Sequence, residues 1–354
     1  MAETENRLEA VAGHWLPRME VAGIASATAR AIMAEAGAWA NWCRAWTAAG
    51  DRHLALAEEA EAKGRRVTAG DGYARAALLY HFAQFMFFDD PDQKASANAR
   101  KLAAFRRAAP LLDPPADLVA IPFEGGHLRA SLRRPAGQEP VDAVILVPGS
   151  DSTKEEFPAL EAHFLKRGLA TLSLDGPGQG EGRAFGPLRA DIGGAVSAAA
   201  AFLRGQPGLS GRLGLMGMAF GGNLALRAAT AVPDLAGVVS VNGFHDLAAM
   251  WPTFPQVYRD NMRFALGATS AEAAFEAAAA FTLAGVPAPE CPVLVLHGAR
   301  DTIFPPVEAQ RQVDWAGARS ELHVFPEGNH VCNNIAWLYR PLVADWLAER
   351  LRSG

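Results

Sequence analysis

Cysteine is scarce in this sequence: Cys43, Cys291 and Cys332 stand far apart in 354 residues. They form no C-x-x-C pair and no Cys/His zinc spacing. That excludes a disulfide framework and a thiolate metal centre, and the sparse, odd set fits a reducing compartment. Positive charge is not in excess either. The formal net charge is −5, so no basic face is available for nucleic acid phosphates. No apolar run approaches the roughly 18–20 residues that a membrane span needs. The opening MAETENRLEA is acidic and polar, unlike a signal or transit peptide. The expectations are a cytoplasmic protein with no membrane segment and no nucleic acid partner. With neither a metal-ligand cluster nor a nucleotide motif, no metal and no organic cofactor is expected. No internal repeat is apparent.

Half of the residues are hydrophobic and a fifth are charged, the balance of a soluble globular chain. The length allows one large domain and a smaller one. Residues 1–112 read as all helix. A first helix is expected from Ser26 or Thr28 to Gly50, a favoured residue just past a helix end. Trp39, Trp42 and Trp46 share one face at spacings of three and four. A second helix is expected over 51–63, and a third over 68–88. The third carries ALLYHFAQFMFF and is apolar nearly all round, so it is buried on several sides. Asp89-Asp90-Pro91-Asp92 starts a fourth, running to about Ala109. The Pro114-Pro115 pair cannot continue a helix and marks the boundary to a second domain at 113–354.

Beyond it the period turns extended. A hairpin is expected over 118–123 and 127–134, closed by Glu124-Gly125-Gly126. Strands follow at 143–147, 170–174, 213–216, 237–241, 293–296 and 321–325, alternating with helices. One begins near Thr153, which has capping-box spacing to Glu156. The expected fold class is α/β: an eight-stranded, mostly parallel sheet covered on both faces, preceded by an all-helical domain. Residues 244–290 are longer than a connection needs. They read as an insertion over the C-terminal edge of the sheet, where open α/β folds bind ligands.

One of these strands belongs to the stretch around which the chain is organised, RLGLMGMAFGGNLALR, residues 212–227. An apolar strand turns sharply at Gly217-Met218-Ala219-Phe220-Gly221 and continues as a helix. This is the frame of a nucleophile elbow, G-x-Nu-x-G. The flanking glycines are needed where a Cβ would collide with the turn. Ala219 occupies the nucleophile position, and its methyl group cannot attack.

In the elbow hydrolases the triad follows the order nucleophile, acid, His. Asp301 follows the strand VLVLHG and His330 follows LHVFPEG, so both stand in that order at strand ends. His330 would be the general base, with Asp301 orienting its ring. Asp246 is a competing acid position, and Asp301 alternatively caps the next helix. Two backbone N–H groups must face the developing oxyanion. Phe220, after the elbow, supplies one; the loop Pro148-Gly149-Ser150-Asp151 supplies the other, assigned to Ser150. Gly149, Asp151, His81 and Trp251 are candidates for contact with a small-molecule substrate, although a histidine in an apolar helix is more often a satisfied core residue. Cys332 reads as a small buried hydrophobe. Asp175-Gly176-Pro177-Gly178-Gln179-Gly180 lacks the P-loop Lys and the Rossmann spacing. It reads as a tight turn lining the mouth of the site.

Further strings carry a resemblance: Tyr80-His81-Phe82-Ala83, Leu112-Asp113-Pro114-Pro115-Ala116 and Ser152-Thr153-Lys154-Glu155-Glu156. With them stand Asp175-Gly176-Pro177-Gly178-Gln179-Gly180-Glu181, Gly221-Gly222-Asn223, Asn242-Gly243-Phe244-His245-Asp246-Leu247 and Gly328-Asn329-His330. Together with the elbow they resemble the α/β-hydrolase superfamily over nearly the whole chain. The branch is the one with an N-terminal helical domain, which includes a carbon–carbon bond hydrolase of nicotine breakdown and fungal polyketide-shortening hydrolases. The resemblance implies Ser where this chain has Ala219, with Asp301 as acid and His330 as base. It also implies a pocket roofed by the helical domain and the 244–290 insertion, and a homodimer.

The implied activity is Ser-dependent hydrolysis of a small acyl compound: a β-dicarbonyl or aryl ketone at a carbon–carbon bond, or else an ester or thioester. Three accounts of Ala219 stand side by side. It is a Ser→Ala change that disables an otherwise intact hydrolase, the mark of a non-hydrolytic enzyme, or the mark of a ligand-binding protein.

Overall fold

The structure is a computed structural model that describes Leu8 and residues 14–137 and 140–353. It divides into two compact units. One ends at Leu118 and also takes in Glu155–Leu160; the other takes in Val119–Lys154 and continues from Glu161.

The first unit is helical, over 14–22 and then Ser26–Ala36, Trp42–Ala62, Arg66–Gln84 and Pro91–Ala108. The break expected at Gly50 falls at Gly37. Gly37 has φ 65° and donates its N–H to the Met33 carbonyl, the left-handed cap that glycine adopts without strain. Gly50 lies inside a 21-residue helix. It is small for another reason: a Cβ there would stand 2.5 Å from the Tyr80 ring. The helix Arg66–Gln84 stops there, short of the 88 expected, because Phe85 is extended and Met86 has φ 52°. The apolarity of 85–87 reflects burial rather than helix, since all three side chains are buried. Asp90 caps the helix Pro91–Ala108, accepting from the N–H groups of Asp92 and Gln93. Trp39, Trp42 and Trp46 are buried and in contact, with successive ring centroids 5.1 Å apart.

No helix begins at Thr153. A 3₁₀ turn covers Lys154–Glu156, and the α-helix starts at Pro158. The Glu156 carboxylate is engaged elsewhere: it accepts two bonds from Arg18, at 2.6 and 2.7 Å, and lies 3.3 Å from His81 Nε2. Glu155 pairs with the equally buried Lys101 at 3.1 Å. Such pairs survive burial because each charge is compensated.

The sheet has eight strands: β1 (Ala116–Phe123), β2 (Gly126–Arg133), β3 (Val141–Val147), β4 (Ala170–Asp175), β5 (Leu209–Met218), β6 (Leu235–Val241), β7 (Val293–Gly298) and β8 (Ser320–Phe325). Their spatial order is β1-β2-β4-β3-β5-β6-β7-β8. β2 pairs antiparallel with β4, and every pairing from β4 to β8 is parallel. All six residues of β4 and of β7 are buried, as strands covered on both faces require. This is the eight-stranded, mostly parallel architecture expected.

From β3 the chain steps to β4 on one side and then to β5 on the other. That reversal makes the carboxyl ends of β3 and β5 a topological switch point, the place where open α/β sheets bind ligands. The stretch between β6 and β7 forms the helices Leu247–Met250, Gln256–Ala265 and Ala271–Ala278. Its two ends are pinned together by Leu247 N–H to Phe281 O and Leu283 N–H to His245 O. Among the described residues no helix is long and apolar enough to cross a membrane.

Gly50→Ala tests the helix packing. Alanine is the better helix former by about 1 kcal/mol, yet the collision with Tyr80 should leave the variant less stable by about 1–2 kcal/mol. The check is a lower urea midpoint.

Candidate active site

The elbow occupies the gap between β5 and the helix Phe220–Ala229. Ala219 sits there at φ 51°, ψ −119°, a region that non-glycine residues enter only under strain. Its N–H donates to Val241 O and its carbonyl accepts from Gly222 N–H, both at 2.9 Å. The glycines follow from contact distances. A Cβ at Gly217 would stand 1.9 Å from the Gly221 carbonyl oxygen, and one at Gly221 would stand 2.4 Å from the Pro148 carbonyl oxygen. Strand, helix and the loop after β3 therefore meet backbone to backbone.

That loop carries Pro148, Gly149, Ser150 and Asp151. A Cβ on Gly149 would lie 3.6 Å from the Ala219 Cβ, so the loop passes directly over the elbow. Ser150 Oγ accepts from Asn261 Nδ2 at 3.0 Å, and Asn261 is buried on the insertion helix Gln256–Ala265. The Phe220 N–H lies at the first position of its helix, where the backbone donors have no intrahelical partner and the dipole favours negative charge.

Asp301 and His330 are brought together. His330 Nδ1 lies 2.8 Å from Asp301 Oδ2, which also accepts from Asn242 Nδ2 at 2.8 Å. Oδ1 accepts from the N–H groups of Ile303 and Phe304 at 2.8 and 3.0 Å. Both carboxylate oxygens are thus engaged, and both residues are buried. Burial alone would raise the Asp301 pKa. The His330 charge and hydrogen bond, with His297 and Asn242, more than offset it and hold the group at about 2. The Phe304 ring meets His330 edge-on at 5.2 Å and Phe244 at 5.0 Å, and Phe244 meets Phe220 at 5.1 Å. A continuous aromatic contact joins the residue after the elbow to the histidine.

The other sequence candidates fall elsewhere. Asp246 is not part of the constellation: it caps Leu247–Met250, accepting from Ala249 N–H. Asp151 is half-buried beside Gly149. Trp251 packs within the insertion against Phe254 and Phe275, each at 5.9 Å. His81 lies in the helical unit, fully buried beside Glu156. Cys332 is buried with its Sγ 3.4 Å from Asn242 Oδ1, and burial pushes its thiol up to about 12, so it is no nucleophile. A groove of about 780 Å³, lined by 229–230, 232–235 and 287–292, lies at the amino ends of β6 and β7. It is at the opposite edge of the sheet from Ala219.

Three residues that sequence reasoning passed over as site residues matter here. Asn242 stands in an Asn-Gly pair at a strand end with φ 46°, a turn signal that gave no hint of its bond to Asp301. Asn261 interrupts the buried face formed by Tyr258, Met262 and Ala265; a polar residue on an apolar stripe is the kind of local conflict expected at functional sites. Gln179 had no distinguishing signal.

A family model described as FrsA-like (esterase FrsA-like) matches residues 34–310. The 2,6-dihydropseudooxynicotine hydrolase of Paenarthrobacter nicotinovorans is 33% identical over 318 residues, covering 89% of this chain and 86% of that protein. The alpha/beta hydrolase xenA of Xenoacremonium sinensis is 34% identical over 229 residues, 58% of this chain and 52% of that protein. The match to this fungal relative thus spans about half of its length. A crystal structure of 2,6-dihydroxy-pseudo-oxynicotine hydrolase superposes with a TM-score of 0.83 at 32% identity, covering 88% of this chain and 89% of that one. That likeness identifies the architecture as the α/β-hydrolase fold with an N-terminal helical region.

The Asp301 cradle has a pH consequence. Its folded pKa of about 2 lies below the ordinary aspartate value of about 3.9. The stabilisation is therefore full above about pH 4 and is lost as pH falls through about 2, and is on the order of 2 kcal/mol. Asp301→Asn should be less stable at pH 7, and its stability should decline less steeply between pH 4 and 2. Thermal unfolding across that range is the check.

Proposed function

We propose, from the premise that this chain belongs to the FrsA-like esterase family, that it carries a serine-hydrolase site in which Ala219 occupies the place of the nucleophile. The observation that carries the reading is Ala219 itself. It is held in a left-handed conformation that costs on the order of 1–3 kcal/mol and serves a side chain that must project from a strand–helix turn. The Asp301–His330 pair remains bonded at 2.8 Å.

With serine at 219, His330 would take the hydroxyl proton as the oxygen attacks a substrate carbonyl. Its Nδ1 is committed to Asp301, so Nε2 is the nitrogen that exchanges the proton. Asp301 holds the ring and stabilises the imidazolium. The N–H groups of Ser150 and Phe220 would bind the developing oxyanion. His330 would then protonate the leaving group, and water would release the acid. No metal or organic cofactor enters this scheme.

The substrate class is a small acyl compound, with a β-dicarbonyl or aryl ketone cleaved at a carbon–carbon bond. This is supported by the branch the sequence resembles and by the names of the relatives. An ester would use the same groups and differ in the leaving atom. The chain as it stands, with Ala219, should form no acyl-enzyme. Loss of a nucleophile leaves at most a residual ~10³–10⁴-fold acceleration from the oxyanion donors and binding.

Two measurements test this reading. A fluorophosphonate probe should add its mass at position 219 in the Ala219→Ser form and not in the parent chain, and that form should turn over a β-dicarbonyl or ester panel. Absence of labelling in both forms would sink the serine-hydrolase reading. Independently, Ala219→Gly should raise stability by about 1 kcal/mol, because glycine adopts the left-handed conformation without strain. Denaturant unfolding of the two chains reads the difference.

A further inference from the structure

The turn after β4, Asp175-Gly176-Pro177-Gly178-Gln179-Gly180-Glu181, does not line an open mouth. Gln179 is 1% exposed, and its side-chain amide lies under the loop that follows β3. Gln179 Nε2 donates to the carbonyls of Pro148 and Gly149, the latter at 3.1 Å, while its Oε1 accepts from Gly176 N–H at 3.2 Å. The other end of the same loop is held by Asp175. Its Oδ1 accepts from Lys154 N–H at 3.0 Å; its Oδ2 accepts from Lys154 Nζ at 2.8 Å and Glu181 N–H at 3.1 Å. The glycines of the turn make this possible. A Cβ at Gly180 would stand 2.1 Å from Asp175 Oδ2, and one at Gly182 would stand 2.1 Å from Gly176 O.

We propose that this turn is a clamp on the oxyanion loop, with Gln179 as the positioning residue that aims the Ser150 N–H at the reacting carbonyl. The inference rests on the reading of Ser150 as an oxyanion donor. The geometry of one peptide plane carries it. The Gly149 carbonyl and the Ser150 N–H belong to the same trans peptide and point in opposite directions. Binding the carbonyl to Gln179 therefore turns the N–H to the other side. That N–H meets no acceptor among the described residues, while the adjoining Gly149 backbone faces Ala219. A preorganised donor adds catalytic power only if it does not reorient as charge develops. Gln179 supplies that rigidity from beneath, without touching substrate.

The test has two readouts. Gln179→Met removes both donors at nearly constant volume; Gln179→Glu keeps the acceptor for Gly176 and covers the case in which the first variant does not fold. In the Ala219→Ser background, with rates normalised to the fraction labelled by fluorophosphonate, kcat should fall on the order of 10²-fold. KM should change by less than about threefold, the signature of a group acting on the transition state alone. In the parent chain, amide hydrogen exchange in the peptide spanning 148–154 should be about tenfold faster in the variant. Unchanged exchange overturns the clamp, and faster exchange with undiminished kcat overturns its catalytic role. If the Ala219→Ser form never labels, the oxyanion reading has failed by itself, and exchange in 148–154 alone decides whether the clamp exists.

Discussion

The site depends on one close crossing of backbone. The carbonyl oxygens of Gly221 and Pro148 occupy the space that side chains at Gly217 and Gly221 would fill. With no Cβ at either glycine, β5, the helix Phe220–Ala229 and the loop after β3 converge at a single point. The left-handed turn at Ala219 follows from that convergence, because the chain must reverse direction within one residue. The Phe220 N–H is placed at a helix start for the same reason. The strain at residue 219 is carried by the surrounding packing, as expected of functional turns in otherwise relaxed folds.

A second layer of fixed groups surrounds the crossing. Asp301 is anchored by two backbone N–H groups and by Asn242, so its position does not depend on His330. The ring of His330 is then set by Asp301 from one side and by the edge-on contact with Phe304. Ser150 is reached by Asn261 from the insertion, and its loop is gripped by Gln179 from below. A carboxylate, three side-chain amides and a phenyl ring thus hold groups at loop tips in fixed positions. Pre-organisation of this kind is the main catalytic resource of an oxyanion site.

Much of this was legible in residue order. The elbow announces itself because its glycines have a steric cause that acts within a few residues. Asp301 and His330 were legible because each follows an apolar strand directly, and strand ends in a parallel sheet share one edge. Gly50 and Glu156 misled for the opposite reason. Gly50 resembles a helix stop, but its smallness answers the Tyr80 ring, 30 residues on. Glu156 resembles a capping-box residue, but its carboxylate is taken by Arg18, 138 positions away. Asp246 looked like an alternative acid until its bond to Ala249 N–H identified it as a cap.

The sequence by itself determined the fold class, the eight-stranded sheet and the glycine-framed turn with Ala219 at its apex, because periodicity, glycine placement and strand-end position are local properties of the chain. Only the tertiary structure decided that Asn242 braces Asp301, that Asn261 reaches Ser150 and that Gln179 sits beneath the loop after β3. Those bonds join residues 59, 111 and 30 or more positions apart. An amide side chain signals nothing about its partner until the fold sets the two side by side and removes the water that would otherwise compete.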